Sequence, residues 1–363
     1  MKRNRKADKP SGSLASALKG KLIGIYEGLG LPRLIISCFL LFLFVLAFIM
    51  KMDITILISD SLVRVGMNGL LVLSLLPTLV CGVGLNFGLP VGIVCGLVGG
   101  VISMSLDLTG FAGFFAAVGL SIPMALVAGY VYALLLDRVR GQEMMVSTYM
   151  GFSTVAAMCV FWLMVPIRHP AMIFAIGGQG LRYTLTLSNN FAKVLNNFLA
   201  FRVFGLTIPT GLLLFFAFFC FLAYLFFRSK VGIAMLAAGA NPLYAASSGI
   251  KVRTMRATGV VMSTVLAAIG ILVYAQSYGF LQLYTAPLYS AFPAVASILI
   301  GGATLRKATI GHVIIGSILF HTLLTIALPV TQTVLAGADI SEIARMIISN
   351  GMILYALTRA GRR

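Results

Sequence analysis

The 363-residue chain is predicted to be an all-α, polytopic integral membrane protein with about ten transmembrane helices, including a Gly/Pro-broken helix pair. Three observations predict it. Hydrophobic residues make up 60% of the sequence and mean hydropathy is +1.04, more apolar surface than a soluble core of this length can bury. The apolar residues fall in runs long enough to cross a bilayer. Charged residues are only 10%, and they gather between those runs. A net charge of +18 would suggest nucleic acid in a soluble protein. Here the bases flank apolar spans, so membrane lipid is the expected surroundings and no nucleic-acid partner is expected.

Residues 1–33 form a basic segment, with eight Lys and Arg against Asp8 and Glu27. Residues 1–13 lack the apolar content to order, and Leu14 to Leu29 suit a basic surface helix. The basic region is too long for a signal peptide, and no small-x-small cleavage site follows the first apolar run. Leu34 to Met50 therefore reads as an uncleaved first span that starts inside the cell. The other spans are expected at 66–83, 89–106, 113–136, 149–166, 205–227, 258–276, 291–304, 310–328 and 343–358. Together, 34–358 make the transmembrane domain and 359–363 a short cytoplasmic tail.

Counting bases orients it. With the N-terminus inside, 20 of the 27 Lys and Arg fall on the cytoplasmic side. Six fall outside (Lys51, Arg64, Arg168, Arg182, Lys193, Arg202), and Arg345 sits at the start of the last span. Both termini are expected inside. The longest outer segment, Arg168 to Phe204, carries Gly177-Gly178-Gln179-Gly180 and then Asn189, Asn190, Asn196 and Asn197. A helix over Ser188 to Phe201 lying near the membrane surface fits it. Such a segment serves equally as a docking face for a substrate-binding protein or as a cover with no partner.

Catalysis has little to stand on. No carboxylate pair occupies a span interior, which a proton-coupled carrier or an intramembrane hydrolase would often need. His312 and His321 are nine residues apart on one span, so they point in directions about 180° apart. The five cysteines lie within apolar runs, with no CxxC and no histidine at ligand spacing. No G-x-x-x-x-G-K-[ST] occurs, so the chain has no P-loop for ATP. No catalytic residue, metal or cofactor is expected.

Two segments are more informative. Gly82-Val-Gly-Leu-Asn-Phe-Gly-Leu-Pro90 breaks a helix near membrane depth. Non-helical backbone is tolerated there when buried in protein or lining a cavity, and broken helices often mark a transport path. A tight turn between two spans is the plainer reading. Gly92, Gly96 and Gly100 recur every four residues on the next span and are read as helix packing.

The second segment, Arg228 to Gly259, interrupts two apolar runs with five bases and no acid. Its centre is small: Ala237, Ala238, Gly239, Ala240, then Asn241-Pro242, then Ala245, Ala246, Ser247, Ser248 and Gly249. Asn-Pro starts a helix, so the spacing predicts a short helix, a Pro-started second helix over Leu243 to Ser248, and a break at Gly249. Small side chains permit close contact with another surface, which makes this a docking loop. An ordinary positive-inside loop would share its charge.

The loop resembles the cytoplasmic loop of ABC importer permeases of the branched-chain amino acid, simple-sugar and nucleoside group. The matching positions are Gly232, Ala237, Gly239, Asn241, Ala245, Ala246, Ser248, Gly249, Ile250 and Lys251. The family's Gly-x-x-(Asn or Asp) break falls on Gly82 or Gly84, Asn86, Phe87 and Gly88. Its second signature falls on Gly301, Gly302, Thr304, Gly311 and Gly316, although Leu305-Arg306-Lys307 replaces the usual glycine run. The fuller Gly-Ile-Asp-Leu-Ser form of many sugar permeases is missing.

The resemblance implies that 228–257 is a coupling loop docking into a separate ATPase subunit through Ala238, Gly239, Asn241, Pro242, Ala245, Ala246 and Gly249. It implies a translocation path at Asn86, Phe87, Gly88, Gly301, Gly302 and Thr304. The partners it implies are cytoplasmic ABC ATPases, a second permease copy or paralogue, and an extracytoplasmic substrate-binding protein. The chain itself would not be an enzyme. Simple sugars come first as substrate, then nucleosides, then branched-chain amino acids; a secondary transporter is the reading from another class.

Overall fold

The computed structural model describes residues 31–334, apart from 140, 168, 170–171, 175–179, 204 and 305–306, together with 346, 350 and 351. The expected N-terminal surface helix, most of the tenth span, the tail and Gly177-Gly178-Gln179 lie outside the described residues.

Helices dominate. α1 is Leu31–Ile49, α2 Ile54–Leu73 and α3 the short Leu76–Val80, followed by the Gly82 to Gly88 break. α4 is Leu89–Ser105, α5 Gly110–Arg138 and α6 Glu143–Met164. An irregular stretch follows, holding β1 (Thr184–Thr186), α7 (Val194–Asn197), β2 (Phe201–Val203) and β3 (Leu206–Ile208). α8 is Thr210–Arg228, α9 Lys230–Ala240, α10 Pro242–Ser247 and α11 Val252–Tyr278. β4 is Phe280–Gln282, α12 Ala286–Ile300 and α13 Ile310–Val334.

Contacts between turns sort them into two faces. On the loop face, Arg33 bonds Gly301, Gly82 meets Gly239 and Arg256, Glu143 pairs with Arg256, and Asp137 with Arg253. On the opposite face, Ser59 Oγ donates to Thr207 O at 2.6 Å, and Asp107 pairs with His169 at 3.0 Å. There, too, Gly110 N donates to Asn190 O at 2.8 Å, and β1 pairs antiparallel with β4. Successive helices alternate between the faces, giving nine traverses over the described residues. Six of the helical segments are long and apolar enough to cross a membrane, counting α2 and α3 as one; α1, α4 and α12 are shorter apolar helices. Among described Lys and Arg, the loop face carries eight and the opposite face four, with Arg64 inside α2.

Packing follows from which helices are apolar all round. α11 runs through the middle, against α2, α4 and α5, and is buried over most of its length. The glycine stripe of α4 makes this approach possible: a Cβ on Gly92 or Gly96 would run into the carbonyls of Thr264 and Ala268. α5, α6 and α8 lie outside and expose large apolar side chains such as Val127, Tyr130, Phe161, Phe218 and Phe221. In lipid, that exposure carries no hydrophobic penalty.

Several expected boundaries move, the fifth and seventh spans beginning six residues early at Glu143 and Val252. The second span begins at Ile54 rather than 66, because Asp60 and Arg64 interrupt the apolar run but not the helix. The sixth begins at Thr210, since 201–203 and 206–208 pair instead as β2 and β3. The eighth, expected at 291–304, is Ala286–Ile300, 15 residues or about 22 Å at 1.5 Å per residue. The outer helix expected over Ser188 to Phe201 is only Val194–Asn197. Polar groups of the expected helix are spent on other segments: Asn190 O accepts from Gly110 N, and Asn196 Nδ2 donates to Ser277 Oγ at 2.8 Å. Leu199, at φ +52°, then turns the chain away from a helical path.

Candidate functional site

The Arg228 to Gly259 segment folds as its residues dictate. Ser229 Oγ accepts from Gly232 N at 3.2 Å and caps α9. Asn241 Oδ1 accepts from Tyr244 N at 3.1 Å and caps α10, with Pro242 in its first turn. Gly249, at φ +81°, ends α10 in a left-handed turn before α11 begins.

The seven loop residues singled out from the sequence divide by direction. Ala238 and Ala245 are buried within the chain, and Gly239 lies so close to the Val80 carbonyl that a Cβ there would overlap it. Asn241, Pro242, Ala246 and Gly249 are exposed. The small residues therefore serve, in part, the loop's packing onto its own protein. What projects outward is Leu243, 85% exposed, and Tyr244, 68% exposed. Sequence reasoning passed over this pair; the signal was two large apolar residues directly after Pro242 in a loop otherwise small and basic.

The first break is held by a buried polar cluster. Asn86 Oδ1 accepts from Tyr132 OH at 2.7 Å and from Gly88 N at 3.0 Å, while Asn86 Nδ2 donates to Ser263 Oγ at 3.0 Å. These bonds tie the non-helical backbone to α5 and α11 and satisfy an amide that is 2% exposed. Gly82, at φ +76°, makes the turn out of α3. A Cβ on Gly88 would collide with the Tyr132 hydroxyl.

The second break lies elsewhere. Gly301 O accepts from Arg33 Nη2, and Gly302 turns at φ +88°. Thr304 N donates to Lys307 O at 2.9 Å, and Lys307 N returns a bond to Thr304 Oγ1 at 3.0 Å. Gly301 and Gly316 let α12 and α13 touch backbone to backbone. So the six proposed path residues fall in two clusters, one against α5 and α11 and the other against α1 and α13.

Both breaks share one device. An arginine at the start of another helix donates to the carbonyl where the broken helix ends: Arg256 Nη2 to Gly82 O at 3.1 Å, and Arg33 Nη2 to Gly301 O. A guanidinium suits the unsatisfied, electronegative end of a helix. Counting these two as topology bases hid that role.

Between α6 and α12 runs a furrow lined by Phe87, Pro90, Thr148, Phe152, Leu288 and Phe292, without a charged group. Phe87 and Phe292 close it, ring centroids 6.0 Å apart. Of the path candidates, Phe87 alone lines this space. His312 and His321 do not share a site; His321 lies buried with Nε2 3.3 Å from Ser297 Oγ. No group of metal-ligating side chains occurs among the described residues.

No curated protein and no solved structure is matched by the chain. One family model does match, that of the permease component of branched-chain amino acid transport systems, and it covers residues 31–357. With nine traverses, two glycine breaks and the capped α9–α10 loop inside that stretch, the chain is a multi-pass membrane protein and belongs to this family of ABC-type permeases.

Proposed function

We propose that the chain is the membrane subunit of an ATP-driven importer of a small polar solute, a simple sugar first, a nucleoside or branched-chain amino acid otherwise. The observation that carries this is α10. It projects Leu243 and Tyr244 from a segment that holds five bases and no acid, between two capped helix ends. Separate ATPase subunits dock there, and the chain hydrolyses nothing itself. Asn241, Pro242, Ala246 and Gly249 form the exposed part of that contact, while Ala238, Gly239 and Ala245 hold it in place.

A second copy or a paralogue completes the path, and an extracytoplasmic binding protein delivers the solute to the face of β1 and β4. The scarcity of charged side chains in the spans supports a polar solute over an ion; Asn86, Phe87 and Gly88 act at the first break and Gly301, Gly302 and Thr304 at the second. The excess of bases on the loop face supports a plasma-membrane topology with both termini in the cytoplasm.

Purifying the tagged chain from its own cells tests this. An ATPase that co-purifies, and is lost when Leu243 and Tyr244 are both changed to Asp, is the expected result. Uptake that persists without any ATPase, on an ion gradient alone, would make the chain a secondary carrier.

A further inference from the structure

Residues before and after α10 both meet the turn that ends α3. Before α10, Gly239 lies against the Val80 carbonyl. After α10, Arg256 Nη2 donates to Gly82 O at 3.1 Å and to Glu143 Oε1 at 2.7 Å. A Cβ on Gly259, one turn further along α11, would run into Cys81 Sγ. Glu143 is itself fixed, its second oxygen accepting from Gly141 N at 2.8 Å.

The Arg256 and Glu143 side chains are 21% and 12% exposed, so solvent and salt screen the pair weakly. Asp137 and Glu143 are the only acids on the loop face among the described residues. Both are paired to bases at the start of α11, Asp137 with Arg253 at 2.7 Å.

Resting on the transport reading above, we infer that Arg256 and Glu143 are positioning residues that make the Gly82 to Gly88 break follow any displacement of α10. A loop attached at one end could swing about Gly249 and leave the break where it is. Attached on both sides of α10, it carries Val80 to Gly82 with it. From Gly82 the backbone runs four residues to Asn86 and five to Phe87, at the furrow. Removing either charge leaves its partner half-hidden and unpaired, and after α10 only the packing of Gly259 against Cys81 then holds the break.

The test uses the full chain purified with its ATPase subunits in lipid nanodiscs. Val83, half-buried beside Arg256, is changed to Cys as reporter, and the accessible Cys38 and Cys159 are changed to Ala. The rate of reaction with N-ethylmaleimide is read with and without ATP plus vanadate. We expect at least a fivefold change in rate with Glu143 and Arg256 intact. Glu143→Gln and Arg256→Gln should reduce it below twofold while ATP hydrolysis stays within twofold of the parent. Arg256→Lys, which keeps the charge within reach of Glu143, should restore the response and shows that folding is not the cause. A full response in both neutral variants overturns the inference alone. A parent preparation that retains no ATPase overturns the transport reading, and the inference with it.

Discussion

Gly239 sits against the carbonyl of Val80, 159 residues earlier in the chain, at the turn where α3 gives way to non-helical backbone. A coupling loop would be expected to show its smallest residues to its partner. Here the glycine between Ala238 and Ala240 faces the protein's own broken helix.

Gly239→Trp should therefore act on the permease itself. Overpacking of a close contact costs about 1–3 kcal/mol. The expected outcome is a lower thermal midpoint of the purified chain before any ATPase is added. A midpoint unchanged from the parent would mean that α9 moves aside at no cost.

Leu243→Asp and Tyr244→Asp should do the opposite. Both side chains project from the chain, and substitutions at such positions usually change stability by within about 0.5 kcal/mol. We expect normal insertion and an unchanged midpoint, with ATPase retention in pull-down reduced at least tenfold, about 1.4 kcal/mol. Equal retention by parent and variants would remove α10 from the contact.

At the first break, Asn86→Leu leaves the Tyr132 hydroxyl and the Gly88 N–H buried without their partner. Each such loss costs about 1–3 kcal/mol. Tyr132→Phe removes only the hydroxyl and leaves the amide its other partners, and should cost roughly 1 kcal/mol. The order Asn86→Leu well below Tyr132→Phe, with the latter just below the parent, is expected in thermal unfolding. Asn86→Leu matching the parent in stability while losing uptake would instead place the amide on the path.

Sidedness can be read with an impermeant thiol reagent on intact cells. Cysteines at Ser247 and Ser248, exposed on the loop face, should stay unlabelled; one at Asn189, exposed on the opposite face, should react. Those at Ser11 and Arg362 should also be shielded. Labelling of both termini from outside would reverse the topology.

Much of this was legible in the residues. Asn241-Pro242 and Gly249 gave α10 its start and end, because capping and left-handed turns are local. The stripe of Gly92 and Gly96 could be read as packing, although not that α11 fills it. Span starts were misplaced where a polar residue sits on an otherwise continuous helix, as at Asp60. Harder still were pairings across long separations: Asn86 with Tyr132, β1 with β4, Arg256 with Gly82. A single sequence marks each partner as polar, basic or β-prone, but nothing local says which distant group it meets. For the same reason the inward packing of Gly239 could not be told from docking to a partner.

The antiparallel pairing of Thr184–Thr186 with Phe280–Gln282 has a mechanical consequence. It fastens the outer segment just beyond the far end of α11, as the bond from Lys193 N to Gln276 O does within the helix's last turn. The near end is fastened to the turn after α3 and to α6 through Arg256. α11 is thus a lever of 27 residues, about 40 Å long at 1.5 Å per residue, with a load at each end. Pivoting about its middle by about 10° would carry the two ends roughly 3.5 Å in opposite directions, by the same rise per residue. One stiff rod would then pull the two mouths of the protein out of phase, with no separate signal passing between them.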